Sequence, residues 1–243
     1  MSSTTLTDDL ELLSEKLVDL GDDDLFMTAL AVSSDGRAIC SSDQEILLES
    51  SEALKGWTQL YKAPPDCFVQ CVSEHYDDLY FLESLDCPSE SFAVYCIPDF
   101  LQHVGTAQGR NKTEIFRFDL DSSKFRFPGN MTMSMRGDVC LVTSEREVVL
   151  YNMSSKVLET HDLEEHRQIH QGLLVSDNTV WLTQNRKKHV IEVQLPPERE
   201  DCLVRRNLSP GSMCYYKKEK FLTISRRSPY HLHILDSSGM SNT

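Results

Sequence analysis

The chain has 243 residues, 40% of them hydrophobic and 26% charged, with a formal net charge of −14. That balance excludes a disordered chain, which lacks the apolar residues to build a core. No window approaches the roughly 18 consecutive apolar residues of a helical membrane span, and the acid excess runs against nucleic-acid binding.

Residues 1–25 are Ser/Thr-rich and then acidic, without the cationic and apolar stretches of a secretory leader. Within them Leu10, Leu13, Leu17 and Leu20 recur at helical spacing, after Thr7 or Asp8 as a cap and before Gly21 as a stop. The spacing predicts a short amphipathic helix, with use as a closing strand the alternative. Residues 26–243 read as one all-β domain.

In that domain a unit recurs: strand, turn, strand closing on a polar residue, loop, strand, turn, weaker strand. The first two strands of successive units are Ala29–Val32 with Arg37–Cys40, Phe68–Val72 with Leu79–Leu82, and Met131–Met133 with Val139–Val142. Leu173–Val175 with Val180–Leu182 and Met213–Tyr216 with Phe221–Ile224 follow. The second strands close at Ser41, Glu83, Thr143, Thr183 and Ser225, at intervals of 42, 60, 40 and 42 residues. Third strands are predicted at Glu45–Leu48, Glu147–Tyr151, Val190–Val193 and His231–Leu235. In the long second unit Glu114–Asp119 takes that place and Phe92–Ile97 is extra material. Fourth strands are predicted at Lys124–Phe127, Lys156–Glu159 and Cys202–Val204.

A period near 42 residues predicts a β-propeller of five or six four-stranded blades, which stack because one blade cannot bury its own sheet. The ring is expected to be incomplete or closed by the N-terminal segment. An evenly spaced β-sandwich is the rival fold.

Glu114-Ile-Phe-Arg-Phe-Asp119 followed by a turn and Phe125 resembles the end of a kelch repeat. Trp57 and the Pro64 link after Tyr61 resemble the join to the next repeat. Ser41-Ser42, Glu83-Ser84 and Thr143-Ser144 stand where kelch repeats carry Gly-Gly. Val32-Ser-Ser-Asp-Gly36 and Ile234–Gly239 are also similar to the C-terminal propellers of tripartite-motif ubiquitin ligases. The resemblance implies a protein-interaction module that recruits substrates to a ubiquitin ligase.

Eight cysteines, with Cys40, Cys140 and Cys214 in or beside apolar runs, read as reduced core thiols of a cytoplasmic or nuclear protein. The four Asn-x-Ser/Thr sequons are then expected to be unoccupied. No nucleophile elbow or phosphate-binding loop occurs. Cys67 and Cys71, near His75, sit in a strand, where residues four apart are too distant to chelate. His161, His166 and His170 read as loop residues. Neither metal nor cofactor is expected, and the chain is expected not to be an enzyme. The alternatives are a propeller enzyme acting on a sugar or lactone and an RNA-binding propeller.

Connections between second and third strands emerge on one face of a propeller, and binding residues concentrate in such loops. There Arg186, Lys187, Lys188, Arg226 and Arg227 form a basic surface. The insertion at about 86–112 is expected to project beside it, with Phe100 and His103 as apolar contacts. The expected partner is a protein with an acidic or mixed-charge segment, with no membrane or nucleic acid involved.

Overall fold

The computed structural model describes residues 27–42, 44–50, 56–85, 91–104, 112–119, 130–134, 136–144, 147–163, 169–176, 178–184, 189–195, 202–206, 210–215, 220–225 and 232–236. These form nineteen strands in five antiparallel sheets, each an up-and-down meander. The first sheet contains β1 (Met27–Val32), β2 (Ala38–Ser42), β3 (Glu45–Glu49) and β4 (Trp57–Lys62). The second contains β5 (Phe68–His75), β6 (Asp78–Leu85), β7 (Ser91–Ile97) and β8 (Thr113–Asp119), with the 3₁₀ turn η1 (Phe100–His103) between the last two. The third contains β9 (Asn130–Met133), β10 (Val139–Thr143), β11 (Glu147–Asn152) and β12 (Leu158–Asp162). The fourth contains β13 (Ile169–Ser176), β14 (Thr179–Gln184), β15 (His189–Gln194) and β16 (Cys202–Arg206). The fifth contains β17 (Pro210–Tyr215), β18 (Lys220–Ser225) and β19 (Leu232–Asp236).

Alternation of side chains along a strand explains how the sheets stack. On β6, Leu79 and Phe81 pack with Ile39, Ile46, Leu48 and Tyr61 of the first sheet. Their neighbours Tyr80 and Leu82 turn the other way, onto Met131, Cys140, Val142 and Val149 of the third. On β10 and β11, Leu141, Val148 and Leu150 then meet Ile169, Val180 and Ile191 of the fourth. Because both faces are covered, the middle strands carry apolar runs such as Leu79–Leu82 and Val139–Val142, and burying each large side chain stabilises the stack by about 1.5–3 kcal/mol. The first strands touch in succession, β1 on β5, β5 on β9, β9 on β13 and β13 on β17. Sheets that stack face to face while their first strands converge have the layout of propeller blades.

The repeated unit is therefore present as read, with one reassignment. Ser91–Ile97 is the third strand of the second sheet, and Thr113–Asp119 is its fourth. The long connection covers residues 98–112 and joins the third strand to the fourth. The predicted N-terminal helix and the strand at Lys124–Phe127 lie outside the described residues.

Candidate functional site

In each meander the first-to-second and third-to-fourth connections leave from the same end of the sheet. At that end the β1–β2, β5–β6 and β9–β10 turns meet. Ser34 Oγ donates to the Asp77 carboxylate, tying the first turn to the second. The backbone N–H of Phe100 donates to the Asp77 carbonyl at 3.0 Å, and that of Asp99 to the Asp78 carboxylate at 3.0 Å. Residue 98 onward is thereby folded onto the β5–β6 turn. Gly137, with φ +71, brings the third turn so close to His75 that an added Cβ would lie 2.4 Å from its Nε2.

Tyr76 stands at the tip of the middle turn with 77% of its surface exposed. Its φ is +48 and that of Asp77 is +66, a left-handed pair that bulky residues rarely adopt. The Glu74 carboxylate holds the pair by accepting from the Asp77 N–H at 3.0 Å. The ring of His75 meets the Tyr76 ring edge-on at 4.3 Å.

Around Tyr76 the charges are mostly one sign. Asp35, Glu74, Asp77, Asp78, Asp99 and Asp138 lie on these turns, and Asp35 is engaged by Arg37 at 2.7 Å. The hydrogen bond from Arg37 lowers the Asp35 pKa despite some burial. Burial raises that of Glu74, and the nearby Asp77, Asp78 and Asp35 carboxylates raise it further, against the pull of its bond from the Asp77 N–H. Burial also lowers the His75 pKa, outweighing its bond to the Arg136 backbone and the attraction of Asp78 and Asp138.

A second polar constellation lies between the first two sheets. The Glu83 carboxylate on β6 is 1% exposed. Lys112 Nζ, just ahead of β8, donates to its two oxygens at 2.9 and 3.0 Å and to Tyr61 Oη at 2.5 Å. Tyr61 Oη in turn donates to Glu83 at 2.5 Å. The ammonium lies 3.7 Å from the ring centroid of Tyr95, 4.7 Å from that of Tyr61 and 5.8 Å from that of Phe81. Burial, followed by the bond to Glu83, pushes the Tyr61 phenol far above its ordinary pKa, so it stays a neutral donor. The sequence pattern marks neither Lys112 nor Tyr76 as a site residue, and Glu83 stands out in it only as one of the residues that close a second strand.

The predicted interaction residues are redistributed. Arg186, Lys187, Lys188, Arg226 and Arg227 lie outside the described residues. Phe100 is 1% exposed and belongs to the core between the first two sheets, so its ring is not a surface contact. His103 is partly exposed, on η1. The stretch from 98 to 104 joins the third strand to the fourth, so it leaves from the end opposite the β6–β7 connection, which corrects the expectation that it projects from the face of the second-to-third-strand connections. Among the described residues no three His, Cys, Asp or Glu side chains are grouped to hold a metal ion.

No protein-family model matches the sequence, and no curated protein does. Solved structures match in fold. The chain is similar to a streptogramin B lyase, with a TM-score of 0.60 and 15% identity, over 91% of this chain and 69% of that one. It is similar to the WD40 β-propeller domain of Doa1, with a TM-score of 0.58 and 14% identity over 92% and 69%. A chain from the nidogen–laminin complex matches with a TM-score of 0.60 and 7% identity over 90% and 79%. The fold is thus a β-propeller. The likeness extends to propellers of several kinds, so it carries neither the kelch subtype nor the ubiquitin-ligase role implied by that subtype. The expectation that the chain is not an enzyme is corrected: a propeller of similar architecture is a lyase, so this fold hosts catalysis as well as binding.

Proposed function

We propose that the chain is a protein-interaction propeller whose first-to-second-strand turns dock a basic segment of a partner protein. The observation that carries this reading is Tyr76, a large aromatic side chain 77% exposed at the tip of a left-handed turn. Tyrosine is enriched among the few residues that dominate binding energy, because it offers a rigid, amphipathic surface at low entropic cost. The turn is locked by Glu74 and η1, so the ring is presented with little left to order on binding. The carboxylates around it select the sign of the partner, and a cation placed there would relieve the carboxylate repulsion that adds to burial in raising the Glu74 pKa. The nidogen–laminin neighbour is a propeller seen in a protein complex, which accords with this use of the fold.

The test is fluorescence anisotropy of purified chain with an array of Lys/Arg-rich and Asp/Glu-rich decapeptides, each also containing apolar residues. Basic peptides should bind and weaken with salt. Tyr76→Ala should lose about tenfold or more in affinity, the scale of a hot-spot residue. Equal binding by the variant, or preference for acidic peptides, would overturn the reading.

A further inference from the structure

We propose that Tyr61, Phe81, Tyr95 and Glu83 form a receptor for a primary alkylammonium, that Lys112 is its resident occupant, and that an incoming lysine side chain or free alkylamine can take its place. This site is distinct from the surface around Tyr76 and does not depend on it.

Three features carry the inference. First, the architecture does not require an acid here. The residues closing the second strands of the first, third and fourth sheets, Ser41, Thr143 and Thr183, are buried and neutral, whereas at that position the second sheet buries the carboxylate of Glu83. An ionised carboxylate in such a place is costly without a partner, so Glu83 commits the site to holding a cation. Second, the donors and acceptors match a primary ammonium. Its three N–H groups face three oxygens, those of Tyr61 and the two of Glu83, while three rings within about 6 Å add cation–π attraction. A quaternary ammonium would keep the ring contacts but lose every hydrogen bond. Third, the occupant is placed to leave. Lys112 belongs to no strand, and its side chain is 22% exposed, so it keeps contact with solvent while Glu83 does not. When the side chain swings out, the sheet hydrogen bonds stay intact.

The experiment uses the wild-type chain carrying lysine labelled with ¹³C at the ε-methylene. The Lys112 signal is identified by its disappearance in Lys112→Met, and the facing rings should place it upfield of the other lysines. Titration with n-butylammonium and with the peptide acetyl-Ala-Lys-Ala-amide should move it saturably to the position of exposed lysines. Tetramethylammonium at equal ionic strength and n-butanol should leave it in place. Displacement by the peptide assigns a protein lysine as the exchanging ligand, and displacement by n-butylammonium alone assigns a free amine. If the signal stays fixed, or responds equally to tetramethylammonium, exchange is overturned and Lys112 is a permanent clamp. In Lys112→Ala, n-butylammonium should raise the melting temperature saturably, and Glu83→Gln should abolish that rise. A melting temperature indifferent to the amine would overturn the receptor itself.

Discussion

Glu83 and Lys112 show how one charged pair can be both secure and asymmetric. Glu83 has no water to fall back on, whereas Lys112 retains partial contact with solvent. Lys112→Met therefore strands a buried carboxylate against aromatic rings, and breaking such a pair costs about 3–5 kcal/mol, here toward the lower end because the lysine side is partly wet. Glu83→Gln should cost less, since the freed ammonium can rotate outward. In urea denaturation the double variant Lys112→Met/Glu83→Gln is expected to be more stable than Lys112→Met alone; an additive double variant would remove the coupling argued here. His75 poses the opposite problem, a base held neutral. Its folded-state pKa lies below the ordinary value of 6.5, chiefly through burial, so its contribution to stability is full above that value. The contribution is lost as the pH falls through the lower folded-state pKa. The denaturation midpoint of wild type should accordingly drop between pH 7.5 and pH 5 by more than that of His75→Leu. Parallel pH profiles for the two proteins would show that His75 does not titrate against folding.

The turns carry the specific geometry, and the β9–β10 turn shows why a small residue is needed. Gly137 combines a φ of +71 with a backbone that passes the His75 ring too closely for a side chain. Gly137→Ala should cost about 1–2 kcal/mol for the left-handed conformation alone, plus a clash term that disappears when His75 is also shortened to Ala. Thermal denaturation of the two alanine variants and their combination separates these contributions. At the same scale, the legibility of the sequence followed burial. Middle strands such as Leu79–Leu82 and Val139–Val142 are covered on both faces and read as apolar runs, so the first three strands of most units could be found. The fourth strands of the second and third sheets are largely exposed: Leu158–Asp162 has little buried surface, and Thr113–Asp119 buries only Phe116 and Phe118 fully. That weak signal let Glu114–Asp119 be mistaken for a third strand and Phe92–Ile97 for an insertion. The candidate sites were less visible still. Tyr76 lies before Asp77-Asp78 in what reads as an ordinary turn, and its exposure follows from backbone angles that no pattern of side chains encodes. A signal for the ammonium site was available in Glu83, the single acid in a column of Ser and Thr. Its partner Lys112 is 29 residues away, and only the fold brings the two together.

Across the whole molecule, each middle sheet is shared by two interfaces, so no interface can be lost without stripping a neighbour. If the first sheet separated, Leu79, Phe81, Ala93, Tyr95 and Ile97 on one face of the second sheet would be bared together. Unfolding should therefore couple sheets that do not touch. The buried thiols report on this directly. Cys40 lies in the first sheet, Cys71 in the second and Cys140 in the third, and all three are buried and free. Burial pushes Cys40 up to about 11 and Cys71 up to about 12, and it raises Cys140 as well, so these three are almost entirely thiol in the folded protein at neutral pH. Pulsed iodoacetamide labelling across a urea gradient, read by mass spectrometry of each cysteine-containing peptide, should give one midpoint for all three. Phe81→Ala removes a ring from the first interface alone, at a cost of about 3–5 kcal/mol. Under the coupled arrangement it lowers the midpoint of Cys140, on the far side of the second sheet, as much as that of Cys40. A Cys140 midpoint left at the wild-type value would mean that the sheets unfold one at a time, as nearest-neighbour units whose interfaces are too weak to hold the stack together.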